Sequence, residues 1–259
     1  MSVRGLVDSH CHLDAAEFDA DRDSVIEQAQ KAGVAKIVVP AIGRANFDTV
    51  LALAERYASC APALGIHPLF AEQALPEDLD VLREKLQSTR PIAVGEIGLD
   101  FFVEGLDREK QEYYFVQQLK LAQEFDLPVI LHVRRSVDQV LKHLRRIKVR
   151  GGIAHAFNGS HQQAAIFIKL GFKLGFGGAM TWPRAVHLRE LAMTLPLESI
   201  VLETDAPDIP PAWIGRNGRN SPEELPEIAR ILARLRKVSI EEVIEKTTQN
   251  VHEVLPHMG

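Results

Sequence analysis

Along the chain, short apolar, β-branched runs alternate with stretches whose apolar positions recur every three to four residues. The runs are 6–12, 36–42, 61–67, 92–99, 128–133, 152–157, 173–177 and 200–204. Runs of this length without polar alternation predict strands buried on both faces, as in parallel sheets. The stretches between them predict helices. Segment 21–31 carries Val25, Ile26 and Ala29, and Gly33 follows as a stop. Phe115, Leu119 and Ala122 repeat at similar spacing before Leu127 and Pro128 end that helix. Segment 164–170 closes on Gly171, and 222–237 and 240–252 predict two more helices. Ser239 opens the last of these with Glu242 three residues on, the pattern of a capping box.

Eight strands alternating with helices indicate parallel βαβ units. At this length eight units fit a closed (β/α)8 barrel of the TIM type, with a doubly wound open sheet as the alternative. No Pro/Ser-rich linker divides the chain, so residues 1–259 are expected to form one domain. Segment 206–221 is rich in Pro, Gly and Asn and predicts a long functional loop.

Composition changes this picture little. The chain is 46% hydrophobic and 25% charged, ordinary for a globular protein. No apolar run nears the ~20 residues of a membrane span. The first residues lack the apolar stretch of a signal peptide, which predicts a cytoplasmic protein. The two cysteines, Cys11 and Cys60, are expected as reduced, buried thiols. A net charge of −5 gives no global attraction for nucleic acid, so a polyanionic substrate must be drawn by local features.

The chemistry concentrates at strand ends, where barrels carry their active sites. His10 and His12 end the first run; two residues apart, they share a face, the barrel interior, while Cys11 points outward. Glu96 lies in the fourth run, His132 ends the fifth, His155 the sixth and Asp205 the eighth. Any one of these alone fits a hydrogen-bonded core residue. Six such groups on five strands are different, because buried acids and imidazoles are costly unless paired or metal-bound. A metal supplies the shared partner. Six ligands exceed the three of a mononuclear catalytic zinc, so they predict two divalent ions about 3.5–4 Å apart, bridged by a carboxylate. Glu96 is the natural bridge. One ion would take His10, His12, Glu96 and Asp205; the other Glu96, His132 and His155. Imidazole-rich coordination favours Zn, Mn, Co, Ni or Fe, with Mg the remaining option. Two dications outweigh two carboxylates, so the centre would attract an anion such as a phosphate ester. The expected nucleophile is a metal-bound hydroxide, with Asp205 doubling as its base.

These motifs resemble the TatD-like metal-dependent deoxyribonucleases, within the amidohydrolase superfamily of barrels. The resemblance runs through DSHCHLD at 8–14, LGIHP at 64–68, GEIGLDFF at 95–102, QLKLAQEFDLPVILHVR at 118–134, HAFNGS at 155–160 and LETDAP at 202–207. In that family the positions matching His10, His12, Glu96, His132, His155 and Asp205 are metal ligands. The resemblance therefore implies phosphodiester hydrolysis, with DNA the usual substrate. Three departures stand out: Asp208 where an apolar or aromatic residue is expected, Ser221 in RNSP in place of an acid, and an ending TTQNVHEVL without the usual Arg and Phe. None touches a ligand position.

Further candidates surround the site. His67, in LGIHP, fits either a substrate-phosphate contact or a structural histidine. Arg134, two past His132, fits phosphate binding or a surface ion pair. Trp182 fits base stacking or loop packing. Arg216, Arg219 and Asn220 fit backbone-phosphate contacts or solvated loop groups. His143, His161, His187, His252 and His257 are expected on the surface, and the basic run 142–150 as a solvated helix face. Nothing calls for a membrane or an obligatory protein partner. Two competing functions remain: hydrolysis of a C–N or lactone bond, and a non-catalytic, metal-stabilised binding barrel. Related C–N hydrolases often bridge their metals with a carbamylated lysine, and segment 92–99 has no lysine. A structural metal site would be closed and smaller.

Overall fold

A computed structural model describes residues 5–258; residues 1–4 and 259 of the expected domain lie outside it. Eight parallel strands follow one another around a nearly closed barrel in the order β1 to β8. They are β1 (Leu6–Asp8), β2 (Val34–Pro40), β3 (Cys60–Leu64), β4 (Ala93–Asp100), β5 (Val129–Arg134), β6 (Gly152–Ala154), β7 (Phe172–Phe176) and β8 (Ile200–Leu202). The helices around them are α1 (Arg22–Ala32), α2 (Phe47–Arg56), α3 (Pro76–Thr89), α4 (Arg108–Glu124), α5 (Val137–Arg146), α6 (His161–Lys169), α7 (Val186–Thr194), α8 (Leu225–Arg236) and α9 (Ile240–Val254). No described helix is long and apolar enough to cross a membrane.

Side-chain alternation sorts the strands into two cores. The inward set, Val7, Val38, Ala61, Ala63, Ala93, Ile130, Ile153 and Val201, fills the lower barrel. Val251 and Val254 of α9, with Leu255 and Met258 behind them, plug that end. Buried Asn250 holds α9 in place, its Nδ2 donating to the carbonyls of Leu197 and Ile200. The outward set packs under the helices with Phe18, Phe47, Phe115, Phe167 and Phe172. Cys11 belongs to this outer layer, as expected. The lower end is thereby sealed, which leaves the upper end for function.

Several strands stop earlier than the apolar runs. β1 ends at Asp8, so His10 and His12 lie on the segment beyond it. That segment still sits between neighbours: Cys11 N–H donates to Val38 O, and Asp205 N–H to His10 O. The seam between β8 and β1 is closed by Ser9 N–H to Leu202 O at 3.0 Å. Asp8 reinforces it, accepting from Thr204 N–H at 3.0 Å and from its hydroxyl at 2.6 Å. On α4, Gln111 pairs with both backbone groups of Asp100, and Gln118, seven residues on, does the same for Ile66. Two buried amides thus satisfy backbone that the neighbouring strands leave open.

Candidate metal centre

Glu96 sits at the middle of β4, which is buried along its whole length, and is itself 1% exposed. Its two oxygens face different partners. Oε2 lies 3.2 Å from His10 Nε2 and 3.3 Å from His12 Nε2. Asp205 Oδ1 closes this group, 3.5 Å from His10 Nε2 and 3.8 Å from His12 Nε2. Oε1 lies 2.8 Å from His155 Nε2, 3.1 Å from His132 Nδ1 and 3.5 Å from His67 Nε2. All six residues expected as ligands therefore converge, and His67 joins them. Three overlapping triads bring donor atoms within 4.8 Å of one another: His10, His12 and Glu96; His10, His155 and Asp205; His67, Glu96 and His132.

The backbone is shaped for this convergence. Gly98 has φ +150°, and a Cβ there would lie 1.9 Å from His132 O, so only glycine lets β4 and β5 approach so closely. Asp205 (φ 57°) and Ala156 (φ 43°) both occupy the left-handed region. Asp tolerates it; Ala pays for it with about 1 kcal/mol and is held there by its N–H, which donates to Glu203 Oε1 at 2.5 Å. A Cβ on Gly175 would fall 2.1 Å from Glu203 Oε2, so glycine makes the room this buried acid needs.

Three acids behind the site were not singled out from the sequence. Asp100 Oδ2 accepts from His132 Nε2 at 2.9 Å, which leaves the lone pair on Nδ1, the atom facing Glu96. Glu203 Oε1 lies 3.9 Å from His155 Nδ1. Asp8 braces the seam beneath His10. Strand alternation is the signal that could have found them: Asp8 is two before His10, Asp100 four after Glu96, and Glu203 two before Asp205. His67 differs from His132 in the nitrogen it turns toward Glu96, Nε2 rather than Nδ1. Its Nδ1 accepts from Leu69 N–H at 3.2 Å, so in the neutral ring Nε2 carries the proton. That arrangement suits donation to an anionic oxygen better than coordination of a cation.

Burial and neighbouring charge set the protonation of these groups in opposite directions. Burial raises Asp8 to about 7 and Glu203 to about 8. Burial also opposes charge on His12 and His155, yet Glu96 and Asp205 lift them to about 9 and about 10. Burial and the neighbouring His155 push His10 down to about 3. Five carboxylates (Asp8, Glu96, Asp100, Glu203 and Asp205), all at most 9% exposed, crowd around imidazoles here. Neutral nitrogen and carboxylate donors in this density fit divalent cations, which would replace those protons.

The other sequence candidates separate clearly. Arg134 lines the cavity of about 1080 Å³ above the centre, with Arg135 and Phe102 beside it. Trp182 packs in its loop, Nε1 donating to Pro210 O, with Arg216 over its ring. Arg219 is tied to both oxygens of Asp21, and Asn220 is fully buried, donating to the carbonyls of Thr204 and Asp208. Neither is placed to meet a phosphate. His143 corrects the surface expectation: it is buried, with Nε2 3.0 Å from Glu112 Oε2, because its face of α5 packs on α4.

Residues 7–256 match the family described as TatD related DNase. The chain belongs to that family. It is 42% identical to the uncharacterized metal-dependent hydrolase YjjV of Escherichia coli, over 95% of this chain and 96% of the other. It is 34% identical to human deoxyribonuclease TATDN3, over 98% and 96% of the two chains. The crystal structure of the E. coli YjjV protein, a TatD homolog, superposes with a TM-score of 0.93 over 97% of this chain and 98% of that one, at 41% identity. With membership of the TatD family comes the enzyme class, a metal-dependent hydrolase.

Proposed function

We propose that this TatD-family protein hydrolyses phosphodiester bonds, with DNA as the substrate class, using two divalent ions bridged by Glu96. One observation carries the proposal: the two Glu96 oxygens face different imidazoles, Oε2 those of His10 and His12 and Oε1 those of His132 and His155. The imidazole content favours Zn or Mn, with Mg as a weaker fit. Bound there, such ions supply Lewis acidity and lower the pKa of water. The chain's own residues do the rest. Asp205, next to His10 and His12 and 9% exposed at the cavity floor, takes the proton from the attacking water. Glu96 holds the two ligand groups at fixed separation. His67, with its Nε2 proton aimed into the site, and Arg134, at the mouth, bind the anionic substrate. The lack of a lysine on β4 argues against the carbamate-bridged C–N hydrolases. Cys11 and Cys60, both buried and free, agree with a reducing cytoplasm. We take the chain to act as one barrel domain without an obligatory protein partner.

The test is metal removal. Chelation is expected to abolish cleavage of a DNA oligonucleotide, and Mn²⁺ or Zn²⁺ to restore it. Metal-loaded protein that cleaves no phosphoester overturns the proposal.

A further inference from the structure

Charge lines the barrel mouth unevenly. Asp14, Glu17 and Asp208 stand on the side of β1 and β8, and Arg134 and Arg135 on the side of β5. Beside the arginines, Phe102 is 42% exposed. The Arg134 guanidinium carbon lies 3.8 Å from its ring centroid and that of Arg135 4.6 Å. Among the described residues neither guanidinium meets a carboxylate or a hydrogen-bond acceptor, whereas Arg44, Arg56 and Arg219 are each tied to an acid. A guanidinium resting on an aromatic ring uses its face. Its N–H groups, which lie in the plane, stay available to an anion.

This cluster is fixed relative to the metal centre. Asp100 Oδ2 accepts from His132, while its Oδ1 accepts from the N–H groups of Phe102 and Val103 at 2.8 and 3.1 Å. One carboxylate therefore positions both an expected metal ligand and the exposed ring. Arg134 follows His132 by two residues on β5, about 6.6 Å along the strand on the same face.

Resting on the phosphodiesterase reading above, we propose that Phe102, Arg134 and Arg135 form an accessory subsite for the nucleotide next to the scissile bond. The arginines hold that nucleotide's phosphate, and its base lies against the exposed aromatic–guanidinium surface. The acids across the mouth repel the strand there, so the substrate leaves the centre over β4 and β5.

Two substrates separate this subsite from the reaction centre: a single-stranded DNA trinucleotide, and methyl p-nitrophenyl phosphate, a diester without a neighbouring nucleotide. For Phe102→Ala, the ratio of kcat/KM on the trinucleotide to that on the small diester is expected to fall about tenfold relative to wild type. For Arg134→Gln and Arg135→Gln, the slope of log KM for the trinucleotide against log salt is expected to drop by about 0.7 per lost phosphate contact. An unchanged ratio in Phe102→Ala together with unchanged slopes in both arginine variants overturns the subsite while leaving the phosphodiesterase reading intact. Wild-type protein that cleaves neither substrate overturns both.

Discussion

The two ends of this barrel are built from the same strands and could hardly differ more. At the lower end Val7, Val38, Ala63, Ile130, Ile153 and Val201 meet a plug of Val251, Val254 and Leu255. At the upper end, further along those strands or their extensions and past register shifts in β1 and β4, the buried positions facing the cavity become Asp8, His10 and His12, Glu96, His132, Glu203 and Asp205. Both ends are buried. One is stable by itself because it is apolar; the other carries a density of acids and imidazoles that only protons or cations can neutralise. The contrast teaches that stability and chemistry occupy separate lengths of the same strands, so substitutions at the two ends should fail in different ways.

The sharpest break concerns Glu96. Glu96→Gln keeps the size of the side chain and removes the charge that both ligand groups share. A loss of kcat/KM of about 10³-fold or more is expected on a phosphodiester substrate; activity within tenfold of wild type would remove Glu96 from the centre of the account. At the opposite end, Ile130→Ala leaves a cavity in the sealed core. Denaturant unfolding should show a loss of about 2–5 kcal/mol, while metal content per folded chain stays at the wild-type value. A joint loss of stability and metal would show that the two ends are not separable. The smallest effect belongs to the support layer. Asp100→Asn should weaken metal affinity about 10- to 100-fold, read by competition with a chelator, because Asp100 fixes the ring of His132.

Much of this was legible from residue order. The eight apolar runs correspond to the eight strands, and the other five expected ligands gather around Glu96. What the sequence understated was the reach of the alternation rule. Asp8, Asp100 and Glu203 obey it as His10, Glu96 and Asp205 do, but an acid behind a ligand has no motif of its own. Boundaries were less legible. His10 and His12 lie beyond β1, on a segment whose Cys11 pairs with Val38 while His10 and His12 pair with Asp205 and Ala206 across the seam, contacts set by tertiary closure. The loop 206–221, expected as a functional loop, is irregular, and its Asn220 and Arg219 are held by Thr204 and Asp21, which no local pattern reveals. His143 looked exposed on a basic helix, but its partner Glu112 comes from α4.

The central claim is that one carboxylate joins two cation sites. Elemental analysis of purified, metal-loaded protein after exhaustive removal of free ions tests it most directly. The account predicts two divalent ions per chain in the wild type and at most one in Glu96→Gln. A single ion per wild-type chain, or two ions retained by the variant, would contradict it.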